Sequence, residues 1–524
     1  MIWFILFCVF AYLFWYKFVS PLDQFKKKGV NQTRPWPLLG DQWRAVLQTE
    51  NMGDVVKNVY DLYPNDRFIG FFQFTIPTIM LRDPELIKQI TVKDFDHFTD
   101  HRQLVDPEAE PLWSSNLFSL QGQKWREMRA TLSGTFTSAK MKYMFGVINE
   151  VAENFAQHFL NQDQKLIETE MKETLSRYTN DIIATSAFGI KVDSLKEPDN
   201  NFYLMGKRIT NLTGVLTLFK FVGYTLVPKL LKKFKATLFD REAATYLKTI
   251  IYETIHVREE EQIIRQDMIN LLLEVKKGIK KEHNETVDTG FSTAKESDYL
   301  DKYKSNKPKQ LTDLDIAAQS FIFFFAGFDT VSSALSFGAY ELAVNQEIQY
   351  KLREEIRKTY KDIEGKLTYE ELLKMQYMDM VFSEILRKWP PLVGIDRVCT
   401  KPYTIEPELP SEKAYHFKIG DSILLPMHGL HRDPKYFPDP LKFDPERFSE
   451  KNRNNIKPYT YLPFGSGPRN CIGSRFAILE AKALLFHLLL HFKLVPTKKT
   501  TIPLKAQTRS LNNNAEVIIG LERI

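Results

Sequence analysis

Between Phe321 and Phe328 the chain reads Phe-Ile-Phe-Phe-Phe-Ala-Gly-Phe, apolar in every direction a helix can point. A helix that is apolar all round must be covered on all sides, by protein or by lipid. Thr312 and Asp315, just ahead of it, have the spacing of a capping box. The pattern predicts a helix from Asp313 to about Asn345, roughly 50 Å long, which is long for a globular domain. Such a helix needs a thick coat of other helices. The chain has 524 residues, and a chain of that length buries about three quarters of its extended surface. With 44% hydrophobic and 26% charged residues, a disordered chain, a collagen-like repeat and a multispan membrane protein are excluded. The 39 Phe exceed what an ordinary core requires.

The N-terminus is a separate case. Met1 to Tyr16 carry no charge, and Phe18 and Val19 extend the run past Lys17. As a helix, residues 1–19 reach about 28 Å, close to the hydrocarbon thickness of a bilayer. A cleaved signal peptide would have basic residues before the run and small residues at its end; this run has neither, and Trp15 and Tyr16 suit the headgroup level. Lys17, Lys26, Lys27 and Lys28 follow it, which places the remaining chain on the cytosolic side. On that side the sequons at Asn31, Asn211 and Asn284 stay unglycosylated. Residues 20–40 are basic, then proline-rich (Arg34-Pro35-Trp36-Pro37), and read as a stiff hinge; residues 41–524 read as the catalytic body.

The surplus of +6 is too weak for nucleic acid and suits an anionic membrane or an acidic partner. Cysteines are sparse, at positions 8, 399 and 471, as in a reducing compartment. Strands are expected at Phe68–Phe74 and Thr78–Leu81, helix from about Gln121 to Lys280, and an exposed polar connection over 275–310. One further helix should cover Thr368–Lys388 and a last one Ser474–His491, with short strands at Tyr403–Ile405, His416–Ile419 and Ser422–Leu425. The apolar stretch 212–228 can be core, or it can dip into the bilayer interface.

The sharpest motif is Pro463-Phe464-Gly465-Ser466-Gly467-Pro468-Arg469-Asn470-Cys471-Ile472-Gly473. Gly465 and Gly467 allow tight turning at positive φ, and Gly473 allows close approach after the cysteine. Cys471 lies at the start of an apolar helix, with Arg469 nearby, where a thiolate is favoured. Such a thiolate can be a soft metal ligand or a nucleophile.

This stretch resembles the haem-binding loop of the cytochrome P-450 superfamily, the haem-thiolate monooxygenases. The resemblance implies a mainly α fold with smaller β sheets, preceded by one transmembrane helix. It makes Cys471 the axial ligand of haem b iron, packs Phe464 against the loop and pairs Arg469 with a haem propionate.

Further motifs extend the likeness. Trp125 and Arg129 share a helix face and match the family's propionate-binding pair, as does Arg397. His101 stands where the family often has an Arg, so its contact depends on pH. Ala326-Gly327-Phe328-Asp329-Thr330 resembles the oxygen-activation motif, placing Ala326 at the cofactor and assigning Asp329 and Thr330 to proton delivery. Read as residues alone, the same Thr could simply bond back to a helix carbonyl. Glu384-Ile385-Leu386-Arg387 and Arg447 of Pro445-Glu446-Arg447-Phe448 match the buried Glu/Arg/Arg set behind the Cys loop. Arg265-Gln266-Asp267-Met268-Ile269, the Phe-rich helix and Thr135-Phe136-Thr137-Ser138 are similar to insect microsomal members tied to detoxification, and they also resemble the vertebrate drug-metabolising type with large pockets.

The implied reaction splits O2, placing one atom in a lipophilic substrate and one in water. Two electrons come from NADPH through a flavoprotein reductase, with cytochrome b5 as a further donor, on the endoplasmic reticulum membrane. Lys124, Arg126, Lys140, Lys142, Arg475 and Lys482 are candidates for a basic docking patch on the cysteine side. The substrate pocket is expected at Leu112, Phe118, Phe321, Phe325, Leu392, Val393 and Ile395, with residues 204–224 and the region of Leu511. A narrow hydroxylase of an endogenous lipid or hormone, a peroxide-rearranging enzyme, and a haem sensor or carrier are the alternatives.

Overall fold

The computed structural model describes residues 1–136, 138–213, 215–265, 267–278, 289–295, 299, 311–508 and 514–524. The apolar N-terminus forms α1 (Ile2–Phe14), which continues through a π turn over Trp15–Val19, and no side chain of either is buried. By length and composition the stretch can cross a membrane. The chain then docks. Phe25 is buried edge-on to Phe72 at 5.2 Å, and bridges join Gln32 to Gly70 and Gly40 to Gln73. Gly40 sits at φ +60°, where a Cβ would run into the Phe72 and Phe74 backbone.

β1 (Phe68–Gln73) and β2 (Ile76–Leu81) form the expected hairpin. The helical body follows: α2 (Gly122–Ser133), α3 (Ser138–Leu160), α4 (Met171–Phe188), α5 (Asn201–Thr210), α6 (Val215–Leu226) and α7 (Pro228–Lys233). Within the stretch read as all helix, Leu166–Glu170 is instead a strand, β3. Its hydrogen bonds go to residues 518–522, a partner more than 300 residues away that no local pattern announces.

The long helix is present as α8 (Asp313–Val344), and both halves of the Thr312/Asp315 capping box are made. It packs most extensively on α4. Gly327 allows this, because a Cβ there would lie 2.7 Å from Ile183 Cδ1. The helix expected over 368–388 is broken at Met375 into Tyr369–Lys374 and α9 (Gln376–Lys388). The Glu355 carboxylate accepts the Tyr377 and Met378 N–H groups at 2.8 Å each and so starts the second piece.

After α9 come β4 (Ile395–Val398), β5 (Tyr403–Ile405), β6 (Tyr415–Phe417) and β7 (Ser422–Leu425), then α10 (Ser474–His491), β8 (Phe492–Pro496) and β9 (Ile518–Arg523). The sheets are ordered β1-β2-β7-β4, β3-β9-β8 and β5-β6. Two apolar cores result, one around α8, α4, α3 and α10, the other between the first sheet and residues 22–30. The region 212–228 is not simply core: Phe219 and Val227 are exposed, and the helix that follows, α7, has no buried residue. The connection 275–310 departs from expectation where it is described, because Thr289, Ser292 and Thr293 are buried.

Candidate active site

Cys471 is held by its backbone: its N–H donates to Phe464 O at 2.9 Å, closing the loop across Gly465 and Gly467. Both glycines have positive φ, +77° and +73°. A Cβ at Gly467 would overlap the Thr91 carbonyl. Gly473 behaves differently from expectation. Its φ is −90° and a Cβ would meet nothing within 4 Å, so protein packing does not require the glycine there. The Cys471 side chain is accessible although it lies deep within the protein, so it faces an internal space. Burial pushes its thiol up; the Gly473 N–H and, more weakly, Arg129 pull it down.

Around this loop three guanidiniums converge. Arg129 donates to Asn470 O at 2.8 Å and Asn470 Oδ1 at 2.7 Å. Arg469 lies 4.3 Å over the Trp125 ring, which is buried, and bonds the carbonyls of Phe118 and Leu120. Arg397, fully buried on β4, reaches His101 at 3.4 Å and Arg469 O at 3.4 Å. Burial, then Arg397, lowers Arg469 to about 9, and burial lowers Arg397 to about 10. His101 falls to about 4, through burial and then Arg397. It is therefore neutral at pH 7, bonded to Asp396 Oδ1 at 3.0 Å. Asp396 stays below the usual carboxylate range: burial opposes this, and His101 and the Arg102 N–H outweigh it. Arg102, missed by sequence reasoning, is half-buried beside Asp396, its Nη1 buried and unpartnered. Buried cations weakened by burial and by one another call for added negative charge. A planar group carrying two carboxylates and a thiolate-binding metal fits this donor set.

On α8, Ala326 is exposed although its neighbours Phe324 and Phe328 are buried, so the helix borders an internal space there. Thr330 Oγ donates to Ala326 O at 2.7 Å. Asp329 is gripped by Lys172 of α4, whose Nζ lies 2.7 Å from Asp329 Oδ1, 3.0 Å from Asp329 O and 2.6 Å from Ser332 Oγ. No sequence signal marked Lys172, which lies 157 residues before the acid.

The pocket residues are linked by rings. Phe118 stacks on His101 at 4.3 Å. Trp113 lies edge-on to Phe325 at 5.2 Å and to Phe321 at 6.4 Å, and Phe239 closes on Trp113 at 4.5 Å. Trp113 and Phe239 were not anticipated; their Phe-rich surroundings were the available signal. Phe118 and Leu392 are 37% and 40% exposed, Val393 and Ile395 are half-buried, and Ile395 Cδ1 comes within 3.4 Å of a Cβ built on Gly465. Leu112 and Phe321 are buried in the core. Leu511 lies outside the described residues.

Behind the loop, Arg387 makes two bonds to Glu384, at 2.6 and 2.8 Å, with both side chains fully buried. Arg447 Nε stands 3.6 Å from the same carboxylate. The basic patch is partly overturned. Arg475 and Lys482 are buried, Lys482 pairing with Asp379 at 2.8 Å, and Arg126 is bound to Tyr299 and Asp96. Lys124 and Lys142 remain exposed, Lys142 paired with Glu370.

Comparison with known proteins agrees with this geometry. The family model described as "Cytochrome P450" matches residues 31–518. The chain is 42% identical over 518 residues to cytochrome P450 9e2 of Blattella germanica, covering 95% of this chain and 94% of the relative. It is 41% identical over 520 residues to probable cytochrome P450 9f2 of Drosophila melanogaster, with 97% and 96% covered, and 38% identical over 502 residues to cytochrome P450 6k1 of Blattella germanica, with 95% and 92% covered. A thiol loop ringed by guanidiniums, on a helical body matched along nearly its whole length, places the chain in the cytochrome P450 family.

Proposed function

We propose that the chain is a membrane-bound haem-thiolate monooxygenase acting on lipophilic xenobiotics such as plant toxins or insecticides. The observation that carries this reading is Cys471, fixed in its glycine-turned loop, facing an internal space and flanked by Arg129, Arg397 and Arg469. Cys471 would hold the haem iron, and the three arginines, Trp125 and His101 would hold its carboxylates. When bound, haem b supplies O2 activation with electrons drawn from NADPH through a flavoprotein reductase, cytochrome b5 being a further donor.

The chain's own part is position and protons. The aromatic wall of Trp113, Phe239, Phe321 and Phe325 favours apolar substrates and excludes water. Thr330 offers a hydroxyl beside the exposed Ala326, and the Asp329 carboxylate, held by Lys172, lies one residue away. Residues 1–19 would lie in the endoplasmic reticulum membrane and 41–524 on its cytosolic side. Residues 20–40 would set the angle between them, since Phe25, Gln32 and Gly40 tie that segment to the body.

The test is the absorbance of the reduced, haem-loaded protein under carbon monoxide. A strongly red-shifted Soret band is expected, and Cys471→Ala is expected to abolish it. A screen of binding spectra over plant toxins, insecticides and steroids then decides the substrate class. Tight binding confined to one steroid would favour the narrow hydroxylase instead.

A further inference from the structure

Between α8 and α9 runs a helix over Gln346–Asp362, whose first turn is tied to β8 by two glutamines. Gln349 Nε2 donates to Leu494 O at 2.8 Å, and Gln349 Oε1 accepts the Leu494 N–H at 2.8 Å. Gln346 Nε2 donates to Leu494 O at 2.9 Å and to Ala343 O at 2.7 Å. Two carbonyl acceptors fix which end of the Gln346 amide is nitrogen, and Oε1 is left without a partner. Beside this tied floor lies a cleft of about 610 Å³, and Gln346, Glu347, Tyr350, Lys351, Arg353 and Lys493 line it.

Gln346, Tyr350 and Arg353 recur at the spacing of one helix face, which is why they share the cleft. Arg353 is only 7% exposed. Its Nε donates to Leu489 O at 3.2 Å near the end of α10, its Nη2 has no partner, and no carboxylate pairs with it among the described residues. Burial, then Arg357, pulls its pKa down, and added negative charge relieves such a site. Lys493 is half-buried and forms no ion pair among the described residues, although Glu522 stands opposite it on β9. Lys351 is exposed, 4.0 Å from Glu446. Against these three cations the cleft sets one exposed carboxylate, Glu347. No side chain caps the start of the helix at Asn345, and the first N–H groups of a helix have no partner within it. Each of these features favours an anion.

We propose that this cleft binds a phosphate carried on a hydroxylated body, the phosphate on Arg353 and Lys493 and a hydroxyl donating to Gln346 Oε1. The planar guanidinium matches phosphate oxygens in a fork. The orphaned Gln346 oxygen needs a donor, which a bare carboxylate or sulfate lacks. Gln346 and Arg353 lie two turns apart, about 10 Å along the axis, so the phosphate and the hydroxyl belong to different ends of one molecule. The volume is that of a small-molecule site rather than of a lone ion, and the open ring of Tyr350 offers a face to the carbon skeleton. A free sugar phosphate and an inositol phosphate headgroup share this chemistry.

The experiment titrates the full-length, haem-loaded chain, held in phosphatidylcholine nanodiscs, with glucose 6-phosphate, inorganic phosphate and glucose in a calorimeter at matched ionic strength. Glucose 6-phosphate is expected to fill one saturable site, about tenfold more tightly than inorganic phosphate, and glucose to give no saturable heat. Lys493→Gln and Arg353→Met are each expected to weaken glucose 6-phosphate about tenfold or more, with the carbon monoxide band unaltered. Arg353 also holds the end of α10, so if Arg353→Met fails to fold, Lys493→Gln decides. The absence of saturable binding overturns the proposal. So does equal affinity for glucose 6-phosphate and inorganic phosphate, or binding that Lys493→Gln leaves unchanged. Discs that also contain phosphatidylinositol 4-phosphate separate the two sources. Loss of glucose 6-phosphate binding there supports a lipid headgroup as the occupant, and undiminished binding supports a soluble one.

Discussion

Asp329 and Thr330 are neighbours on α8 but are held by different bonds. The Thr330 hydroxyl already has an acceptor in Ala326 O, so it can pass a proton only by turning away from the helix. The Asp329 carboxylate is tied to Lys172, and both side chains are mostly buried, which makes the pair worth more than an exposed one. Thr330→Ala is expected to leave haem bound and to divert electrons to hydrogen peroxide. The measurement is peroxide formed per NADPH consumed, and an unchanged ratio would show that the hydroxyl is not in the proton path. Lys172→Met removes the ammonium from the carboxylate and is expected to change substrate turnover by about tenfold in proportion to NADPH use, with the carbon monoxide band unaltered. If the product-to-NADPH ratio stays the same, the lysine only packs. Thr330 and Asp329 were legible because their residue types follow a recognisable order. Lys172 was not, because it comes from another helix and looks like any lysine in its own sequence.

At the scale of the element, the Cys loop is set by the glycines and by what presses on them. Gly467 combines φ +73° with a Thr91 carbonyl where a Cβ would go. Gly467→Ala should therefore displace the loop and sharply lower haem content, read as the haem-to-protein absorbance ratio; full haem loading would contradict this. Gly473 was expected to serve close packing and proved to border open space, a distinction that φ and neighbours reveal and spacing does not. Just before the loop, His431 Nε2 accepts the Leu462 N–H at 2.8 Å. Burial, and then Arg387, holds His431 down at about 3. The unfolded chain takes up this proton near pH 6.5 and the folded chain only near 3. The stability is thus fully present above 6.5 and is lost as pH falls through that window, by several kcal/mol in order of magnitude. His431→Gln, which keeps an acceptor, is expected to flatten the acid dependence of urea midpoints between pH 6 and 4. An equally steep dependence would place the acid lability elsewhere, for example in His428, which is also buried and neutral.

For the molecule as a whole, the apolar surface is uneven. α1 is exposed along its length, and Phe219, Leu230 and Phe234 stand out of α6, α7 and the turn after them, among Lys229, Lys232, Lys233 and Lys235. An apolar face rimmed by lysines suits a bilayer interface. Removing residues 2–19 is expected to leave measurable binding to anionic vesicles, and adding Phe219→Ser, Leu230→Ser and Phe234→Ser to abolish it, as read by vesicle flotation. Complete release by the deletion alone would leave α1 as the sole membrane contact. The anchor, the long helix, the final helix and the thiol loop were all readable in the chain, because each depends on residues within one or two turns of one another. Helix periodicity, a capping box and glycine-turned loops are local physics. The strand at 166–170, the break at Met375, the lysine on Asp329, the burial of Thr289, Ser292 and Thr293 and that of Arg475 and Lys482 depend on partners far along the chain. Only packing decides whether such residues meet water, a carboxylate or one another. The sequence by itself determined the local elements and the Cys-loop motif that carries the family resemblance. The tertiary structure decided which charges are buried and paired, because desolvation and ion pairing belong to neighbourhoods that exist only once the chain has folded.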